Sequence, residues 1–507
     1  MANFKPDASF FRKIVIGALG TQATCEDLGR HGHQMVELEK GSTDTKLWRD
    51  VKRKRVRIPD LICKSCGQRV ESRAKTKPEL SMSHSDSDQE RSWDYGMLEN
   101  DWIAFPISAA MASASWSKGL FRRRAAYWHE RDWSEWTVEG KINYFTVAAL
   151  RGIAPDATRR KGVTEGSELT LTWNAKFATC SGKVEAVLGN VIKLRADDGR
   201  MRSLRIAPNL GTYVRAGEEV TKNQVLCARP IPISTGALRC PGGLPEGFIE
   251  SCLASRERTL RFSGIKLSRL CGLTQHRATI TEMAHDAQED LYVRLEAVAY
   301  LASLGEIPAK RLFEEYLRSP DAQIQLESVI AMGELRTRDA VQLLGLILHD
   351  LKQEYFLRSA AAWALGNAQT VESQELLKSA FADVRSDIRE EALDALVAIG
   401  ESVLPALLPA IGDDDEDIAA GCAEVVRQLS SDNPVALLEI AERLQQPSPP
   451  KWLVWLAGHL NPEELRTVLG DVAALNGEVA YALNLLWSFS RSWIARRWEL
   501  QRGVLLQ

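Results

Sequence analysis

Residues 58–75, IPDLICKSCGQRVESRAK, predict a strand, a tight turn at Cys66-Gly67 and a second strand. Asp60 ends the first run. Side chains alternate between the two faces of a strand, so three charged residues share one face of the second: Glu71, Arg73 and Lys75. Two carboxylates on neighbouring strands, with a cation close by, can hold Mg²⁺ against a phosphate. The hairpin is therefore the first candidate for a functional site.

The order Pro59-Asp60, a spacer, and then Glu71-x-Arg73-x-Lys75 resembles the PD-(D/E)XK nuclease family. In that family the Asp and the Glu bind a metal ion, and a Lys at the next same-face position assists the attacking water. The resemblance implies Asp60 and Glu71 as ligands of Mg²⁺ (or Mn²⁺). Arg73 departs from the pattern, because a guanidinium does not give up a proton at neutral pH. Lys75, one pleat further on the same face, is the alternative catalytic cation.

Members of the family often carry an additional Glu on a helix ahead of the Asp. Residues 31–39 are HGHQMVELE, in which Glu37 and Glu39 are the candidates, and Glu37 is the one we assign to the catalytic set. A solvated helix face is the alternative interpretation of both residues.

A basic run leads directly into the Asp60 strand. Six of its residues are predicted to contact DNA: Arg49, Lys52, Arg53, Lys54, Arg55 and Arg57. Backbone phosphates supply most of the affinity for nucleic acid, so a basic run beside a carboxylate site favours a phosphodiester substrate. A solvated face or a localisation-like patch is the alternative.

The turn of the hairpin carries a Cys63-x-x-Cys66 pair, which is half of a zinc site. A structural zinc needs four ligands, and no second CxxC pair follows. Cys25 and one of two histidines, His31 or His33, would complete a set of Cys25, His31, Cys63 and Cys66. The competing interpretation is a hairpin turn with two free, partly buried thiols.

Composition limits the class of protein. The 507 residues suffice for about three domains of roughly 150 residues each. A net charge of −3 gives no global reason to expect nucleic-acid binding, so any such site must be local. Nine scattered cysteines favour a reducing cytosol over a disulfide framework. No stretch approaches the roughly 20 apolar residues of a membrane span, and we expect a cytoplasmic protein with no membrane partner.

Residues 161–235 show the alternation of short strands. Four are predicted, at 169–173, 182–188, 191–196 and 201–206, with turns at 188–190 and 197–199. The segment 214–226, VRAGEEVTKNQVL, resembles the closing hairpin of barrel-sandwich hybrid domains, which include biotinyl and lipoyl carriers. No attachment Lys stands at a hairpin tip, so carrier function is not expected.

The C-terminal half repeats itself every 30 to 33 residues. The pattern Arg358-x-x-Ala361-x-x-Ala364-Leu365 is typical of the aligned segments, which begin at Arg294, Gln325, Arg358, Arg389 and Ala419. Small residues let paired helices approach, and the apolar face can be buried only against the next repeat. This pattern resembles HEAT repeats, an architecture that mostly binds proteins along a concave face.

The predicted fold class is multidomain α+β. Residues 1–130 are an α/β restriction-endonuclease-like domain, 131–160 a linker, 161–235 a small β barrel-sandwich module, 236–274 a linker, and 275–507 an all-α HEAT-repeat solenoid with a C-terminal cap.

Two functional hypotheses follow. The first is a metal-dependent DNA endonuclease, for which the resemblance suggests a restriction or anti-phage defence effector, a protein partner on the solenoid and, as an open alternative, a homodimer. The second is a non-catalytic HEAT-repeat adaptor whose nuclease-like domain is degenerate and only binds nucleic acid.

Overall fold

The computed structural model describes residues 8–38, 58–110, 136–159, 168–430, 433–470 and 472–491. The chain divides into two compact units, Met1–Tyr300 and Leu301–Gln507. The first is rich in β-structure and the second is helical, in agreement with a multidomain α+β chain.

The first unit contains helices and seventeen strands within its described residues. The helices are α1 (Ala8–Arg30), α2 (Val147–Arg151), α3 (Phe248–Leu253), α4 (Arg258–Leu270), α5 (Arg277–His285) and α6 (Leu291–Ser303), which spans the boundary. The strands up to residue 146 are β1 (Met35–Glu37), β2 (Leu61–Cys63), β3 (Arg69–Ser72), β4 (Leu80–His84), β5 (Trp102–Phe105), β6 (Ser108–Ala110), β7 (Trp136–Val138) and β8 (Asn143–Thr146). The later strands are β9 (Asp156–Arg159), β10 (Leu169–Trp173), β11 (Ala175–Phe177), β12 (Gly182–Leu188), β13 (Val191–Ala196), β14 (Met201–Arg205), β15 (Gly211–Thr212), β16 (Glu219–Val220) and β17 (Val225–Ala228).

A mixed five-stranded sheet organises the N-terminal part, with the strand order β1-β2-β3-β5-β8. β1, β2 and β3 form an antiparallel meander. β5 runs parallel to β3, with Val70 beside Trp102, and β8 returns antiparallel to β5. Because parallel neighbours cannot be joined by a tight turn, the chain leaves the sheet between β3 and β5, and β4 forms on that excursion.

The two faces of this sheet are covered by different elements. On one face α1 contributes Leu28 to a core that also contains Leu61, Val70, Ala104 and Tyr144. Gly20 allows the helix to approach, because a Cβ there would lie 2.5 Å from the Cβ of Ala74. The other face buries Ile103, Phe105 and Phe145 in a cluster with Leu80 and Trp173.

The β module beyond residue 175 has its own core. Its sheets have the orders β14-β13-β12-β16 and β11-β17-β15, and they enclose Val184, Ile192, Leu194, Val220 and Leu226. β12 and β13 occupy the predicted residues. Gly189 and Gly199 have φ values of +55° and +80°, the left-handed backbone that these hairpin turns require.

Both segments that the sequence analysis assigned to linkers contain regular structure. In the first, residues 136–159 form β7, β8, α2 and β9, and β8 completes the central sheet. In the second, residues 248–270 hold α3 and α4. β10, predicted as the first strand of the β module, instead pairs with β4 and β9. Buried side chains such as Tyr144 and Phe145 explain why these short strands belong to the fold.

The second unit is a succession of helices. Those described are α7 (Ile307–Leu317), α8 (Ala322–Met332), α9 (Arg338–His349), α10 (Tyr355–Ala368), α11 (Val371–Ser379), α12 (Ser386–Ile399), α13 (Leu404–Ala410), α14 (Glu416–Leu429), α15 (Pro434–Leu444), α16 (Lys451–His459), α17 (Pro462–Leu469) and α18 (Gly477–Arg491).

The repeated sequence pattern falls on alternate helices, namely α6, α8, α10, α12 and α14. Ala361, Ala364, Ala392 and Ala395 are buried, and a Cβ at Gly366 would lie 2.9 Å from the Cβ of Ala395. Small side chains therefore set the close approach of α10 and α12, as the pattern predicted.

Among the described helices, none is by itself long and apolar enough to cross a bilayer. Ser386–Ile399 and Glu401–Ala410 reach that length and hydropathy only as a pair, which is bent by 106°.

Candidate functional site

The β2–β3 hairpin brings the two acidic residues of the predicted nuclease motif to the same end. Leu61 pairs with Val70 and Ile62 with Arg69, so the next step of this register places Asp60 opposite Glu71. One oxygen of Asp60, Oδ2, accepts a hydrogen bond of 2.8 Å from the backbone amide of Ser72. The carboxylate of Asp60 therefore lies across the strand gap, beside the residue that follows Glu71.

Glu71 is engaged by the residue that departs from the family pattern. Its Oε1 lies 2.7 Å from Nη2 of Arg73, two positions along on the same face of the strand. Glu71 is 8% exposed, whereas the side chain of Arg73 is 37% exposed, so solvent reaches the ion pair from the arginine side. The Nε of Arg73 is buried and has no hydrogen-bond partner. The Nη2 group of Arg73 thus neutralises Glu71, while its Nε makes no hydrogen bond.

The other two members of the predicted catalytic set, Glu37 and Lys75, lie on segments next to the β2–β3 hairpin. Glu37 lies on a strand and not on the expected helix: it ends β1 opposite Leu61, because residues 35–37 pair with β2. Burial raises the pKa of the Cys25 thiol to about 12, and the negative charges of Glu37 and Asp60 add to the effect. Lys75 forms a parallel bridge with Ile107 beyond the end of β3.

The six predicted DNA-contacting residues, Arg49, Lys52, Arg53, Lys54, Arg55 and Arg57, lie outside the described residues. The prediction of a basic DNA-binding run therefore stays a prediction.

A second group of polar side chains lies at the opposite end of the hairpin. Among the described residues, one set of three or more His, Cys, Asp or Glu side chains has all its ligand atoms within 4.8 Å of one another: His33, Cys63, Cys66 and Cys240. Glu37, Asp60 and Glu71 do not form such a set. We refer to the four residues as the Cys/His cluster.

Backbone hydrogen bonds assemble the Cys/His cluster from three chain segments. Gly67, with φ of +75°, closes the Cys63–Cys66 turn by donating its amide to the Cys63 carbonyl at 2.8 Å. Cys240 joins this turn because its amide donates to the carbonyl of His31 at 2.9 Å. His33 is 5% exposed, and its Nε2 lies 2.9 Å from the carbonyl oxygen of Leu238. Its Nδ1 consequently faces Cys66, whose Sγ is 3.6 Å away.

The titration of the cluster favours a thiolate. A hydrogen bond from Cys66 lowers the pKa of Cys63 to about 3, against the opposing effect of burial. The same interaction raises the pKa of Cys66. Burial lowers the pKa of His33, but hydrogen bonding to Cys63 and to the Leu238 carbonyl outweighs it and raises the pKa overall. The thiolate is the form of cysteine that binds metals.

The observed cluster differs from the predicted zinc set in two members. Cys63, Cys66 and one of the two candidate histidines come together, and that histidine is His33 rather than His31. Cys25 lies instead near Glu37 and Asp60. Cys240 was missed because it follows Cys66 at a great distance in sequence and belongs to no second CxxC pair. Its neighbours Pro241, Gly242 and Gly243 indicate a turn but no metal.

The helical unit matches a known protein family over part of its length. The family model of HEAT repeats matches residues 309–397. This segment consists of HEAT repeats. It covers most of α7 to α12, so the repeat pattern predicted from the sequence is confirmed here. No curated protein sequence matches the chain.

Three of the solved structures that are similar to this protein align with nearly half of its chain. Human deoxyhypusine hydroxylase in complex with glycerol is 16% identical, with a TM-score of 0.19 over 44% of this chain and 82% of that one. YibA of E. coli is 15% identical, with a TM-score of 0.25 over 49% and 93%. The complex of CpcE and CpcF of phycocyanin lyase from Nostoc sp. is 19% identical, with a TM-score of 0.21 over 44% and 91%.

Proposed function

We propose that the protein is a metal-dependent DNA endonuclease whose active site is built on the β2–β3 hairpin. The observation that carries the proposal is the hydrogen bond of 2.8 Å from the Ser72 amide to the Asp60 carboxylate, which brings Asp60 beside the residue after Glu71 at one end of the β2–β3 pair. This is the juxtaposition that the PD-(D/E)XK resemblance requires of its two acidic residues. The mixed sheet, with α1 on one face and β5 following the hairpin, suits an α/β nuclease core.

The donor set suits Mg²⁺ or Mn²⁺, because hard divalent cations take carboxylate oxygens and keep several waters. Asp60 and Glu71 would hold the ion, which when bound polarises the scissile phosphate and lowers the pKa of a coordinated water. Glu37 would position that water. Lys75 would neutralise the phosphate, and Arg73, freed from Glu71 by the cation, would add a second positive charge.

The reaction would be phosphodiester hydrolysis by in-line attack. The water oxygen forms a bond to phosphorus, and the bond from phosphorus to the leaving oxygen breaks. The water gives up its proton to a carboxylate or to solvent, and the leaving oxygen takes up a proton from solvent. Protein partners would bind along the HEAT repeats, and the combination would serve a restriction or anti-phage defence effector in the cytoplasm. An enzyme that cuts both strands of the DNA would act as a homodimer, with one active site for each strand.

The test is cleavage of plasmid and linear duplex DNA by the full chain with Mg²⁺ or Mn²⁺. Asp60→Asn and Glu71→Gln keep the shape of each side chain, and Asn can still accept from the Ser72 amide. We expect each to lower cleavage by about 100-fold or more, as does the loss of one charge-stabilising group in other enzymes. Glu79→Gln is the matched control, because Glu79 is exposed and outside the site, and it should cut normally.

Arg73→Lys restores the residue type usual for the family. We expect it to increase cleavage, because a lysine is shorter, releases Glu71 and can exchange a proton. Lys75→Met then shows which cation acts in the native chain. If the Asp60→Asn and Glu71→Gln variants both cut DNA at the rate of the wild type, the assignment of the site would be overturned.

One observation favours a second function, that of a non-catalytic adaptor. The pairing of Arg73 with Glu71 at 2.7 Å occupies a carboxylate that a metal would need. In this case duplex DNA binds without being cut, and the HEAT repeats hold the partner protein. Fluorescence anisotropy with labelled duplex DNA distinguishes the two: binding without cleavage, by the wild type and by Arg73→Lys alike, supports the adaptor.

A further inference from the structure

The geometry of the Cys/His cluster goes beyond the proposed nuclease site. Its four ligand atoms come from a loop before β1, from the hairpin turn and from a segment beyond β17, yet they all lie within 4.8 Å of one another. We propose that His33, Cys63, Cys66 and Cys240 bind one structural Zn²⁺ through the Nδ1 of His33 and three thiolates.

The donor set and its spacing agree with a closed tetrahedral zinc site. Three Cys and one His is a common structural set, and two of the Cys are separated by two residues, as such sites require. With Zn–S near 2.3 Å and Zn–N near 2.0–2.1 Å, tetrahedral angles place a ligand nitrogen roughly 3.6 Å from a ligand sulfur. The Nδ1 of His33 and the Sγ of Cys66 are 3.6 Å apart. Soft thiolates select zinc over the hard cation of the carboxylate site.

The histidine is also held as a metal ligand should be. Its Nε2 lies 2.9 Å from the Leu238 carbonyl, which keeps the proton on Nε2 and directs the Nδ1 lone pair into the cluster. His33 and Cys63 are buried, at 5% and 0% exposure, so the cation would be screened from water. Four protein ligands leave no open position, which makes this a structural rather than a catalytic site.

A bound zinc would tie the hairpin to a distant part of the chain. Cys63 is the last residue of β2, and Asp60 precedes the first. Cys240 belongs to the segment after the β module. This segment also contacts the loop before β1, through the Cys240 amide with the His31 carbonyl and through the Leu238 carbonyl with His33. The metal would therefore fix one end of the strand pair whose other end carries Asp60 and Glu71.

Two other cysteines near the cluster provide matched controls. Cys271 lies 3.7 Å from the Lys64 carbonyl, but its thiol is not part of the set. Cys25 is half-buried on α1, near Glu37 and Asp60, and its thiol is not part of the set either. Both are partly buried thiols close to the hairpin, so replacing either changes the same chemistry without touching the proposed site.

The experiment measures metal per chain in the full-length protein, purified without added metal, by inductively coupled plasma mass spectrometry. We expect about one zinc per chain in the wild type, in Cys25→Ser and in Cys271→Ser. Zinc affinity should fall by more than about 100-fold in Cys240→Ser and His33→Ala, since changes even outside the ligand set cost 10- to 100-fold. His33→Cys should restore binding as a four-cysteine site.

Replacement of the metal by Co²⁺ keeps the proposal testable if a variant does not fold. The wild type should then show thiolate-to-cobalt charge-transfer and tetrahedral d–d absorption. Wild-type protein that contains no zinc and shows a Cys63–Cys66 disulfide by mass spectrometry would overturn the proposal, as would iron in place of zinc. So would equal loss of zinc from the Cys25 and Cys271 variants. No arm uses DNA, so a failed cleavage assay leaves this result unaffected.

Discussion

The Cys/His cluster of the first unit and the helix contacts of the second hold their regions together over very different chain distances. The contact between His33 and Leu238 joins residues 205 positions apart. In the second unit, the ion pair of Arg358 with Asp383 joins residues 25 positions apart. Closing a long loop costs more entropy than closing a short one, and stacked repeats depend mainly on their immediate neighbours. We therefore expect the first unit to unfold as a whole and the repeats to respond locally.

The largest effect should come from removing the proposed zinc. A ligand present at 1,000 times its Kd stabilises the folded state by about 4 kcal/mol. In a unit of 300 residues, that corresponds to a fall in melting temperature of about 6 °C. Differential scanning calorimetry before and after dialysis against a zinc chelator measures it. Only the transition of the first unit should move, and an equal shift of both transitions would contradict the comparison.

A buried ion pair in each unit gives the next test. Arg69 pairs with Asp101, with Nε–Oδ1 at 2.9 Å, and Arg358 pairs with Asp383; all four side chains are at most 6% exposed. Arg69→Met and Arg358→Met each leave a buried carboxylate unpaired, which costs about 3–5 kcal/mol. Hydrogen exchange should accelerate throughout the first unit for Arg69→Met, but only in α9 to α12 for Arg358→Met.

Arg385→Met is the control for this pair of variants. Arg385 forms an ion pair with Asp387 in which both side chains are 46% exposed, so solvent screens the interaction. Its melting temperature should equal that of the wild type. Exchange that spreads beyond α9 to α12 in Arg358→Met would show that the repeats are cooperative over a longer range.

Two glycines in the repeat helices predict opposite, smaller effects. A Cβ at Gly421 would lie 2.3 Å from the ring of Phe381, which is buried, so Gly421→Ala should cost about 1–3 kcal/mol by overpacking. A Cβ at Gly345 would lie 2.8 Å from a methyl of Leu376, which can rotate away. Gly345→Ala should be neutral or more stable by up to about 1 kcal/mol from helix propensity. Urea denaturation measures both, and equal losses would contradict the distinction.

The smallest effect is the pH dependence of one ion pair within α14, between Glu424 and Arg427. Burial raises the pKa of Glu424, but hydrogen bonds from Arg427 and Gln428 outweigh it, so the pKa lies below its usual value of 4.5. The contribution to stability is therefore present above pH 4.5 and is lost as the pH falls through the folded-state pKa. Glu424→Gln should lose about 0.5 kcal/mol at pH 7 and show a flatter acid limb. Parallel acid limbs would contradict this assignment.

The sequence predicted those features that depend on near neighbours. The repeat helices were predicted from small residues such as Ala361 and Ala364 at helical spacing. β12 and β13 were predicted from the alternation of apolar and polar residues, with a turn glycine after each strand. The pairing of β10 with β4 could not be predicted in this way, since the register of distant strands depends on packing. Cys240 could not be predicted as a ligand either, since its position beside Cys63 and Cys66 also depends on the packing of segments that are distant in sequence. A ligand set assembled from three segments leaves no local pattern, and only the half contributed by Cys63 and Cys66 has a recognisable spacing.

The orientation of His33 depends on an acceptor that belongs to the main chain. Every amino acid at position 238 supplies the same carbonyl oxygen, so the hydrogen bond survives any substitution there that preserves the path of the backbone. The side chain of Leu238 is 1% exposed and packs in the core with Leu28 and Tyr144, so packing rather than the hydrogen bond restricts this position to apolar residues. Deletion or insertion between Leu238 and Cys240 would separate the histidine from its acceptor. For the orientation of His33, the length of this segment therefore matters more than which apolar residue occupies position 238.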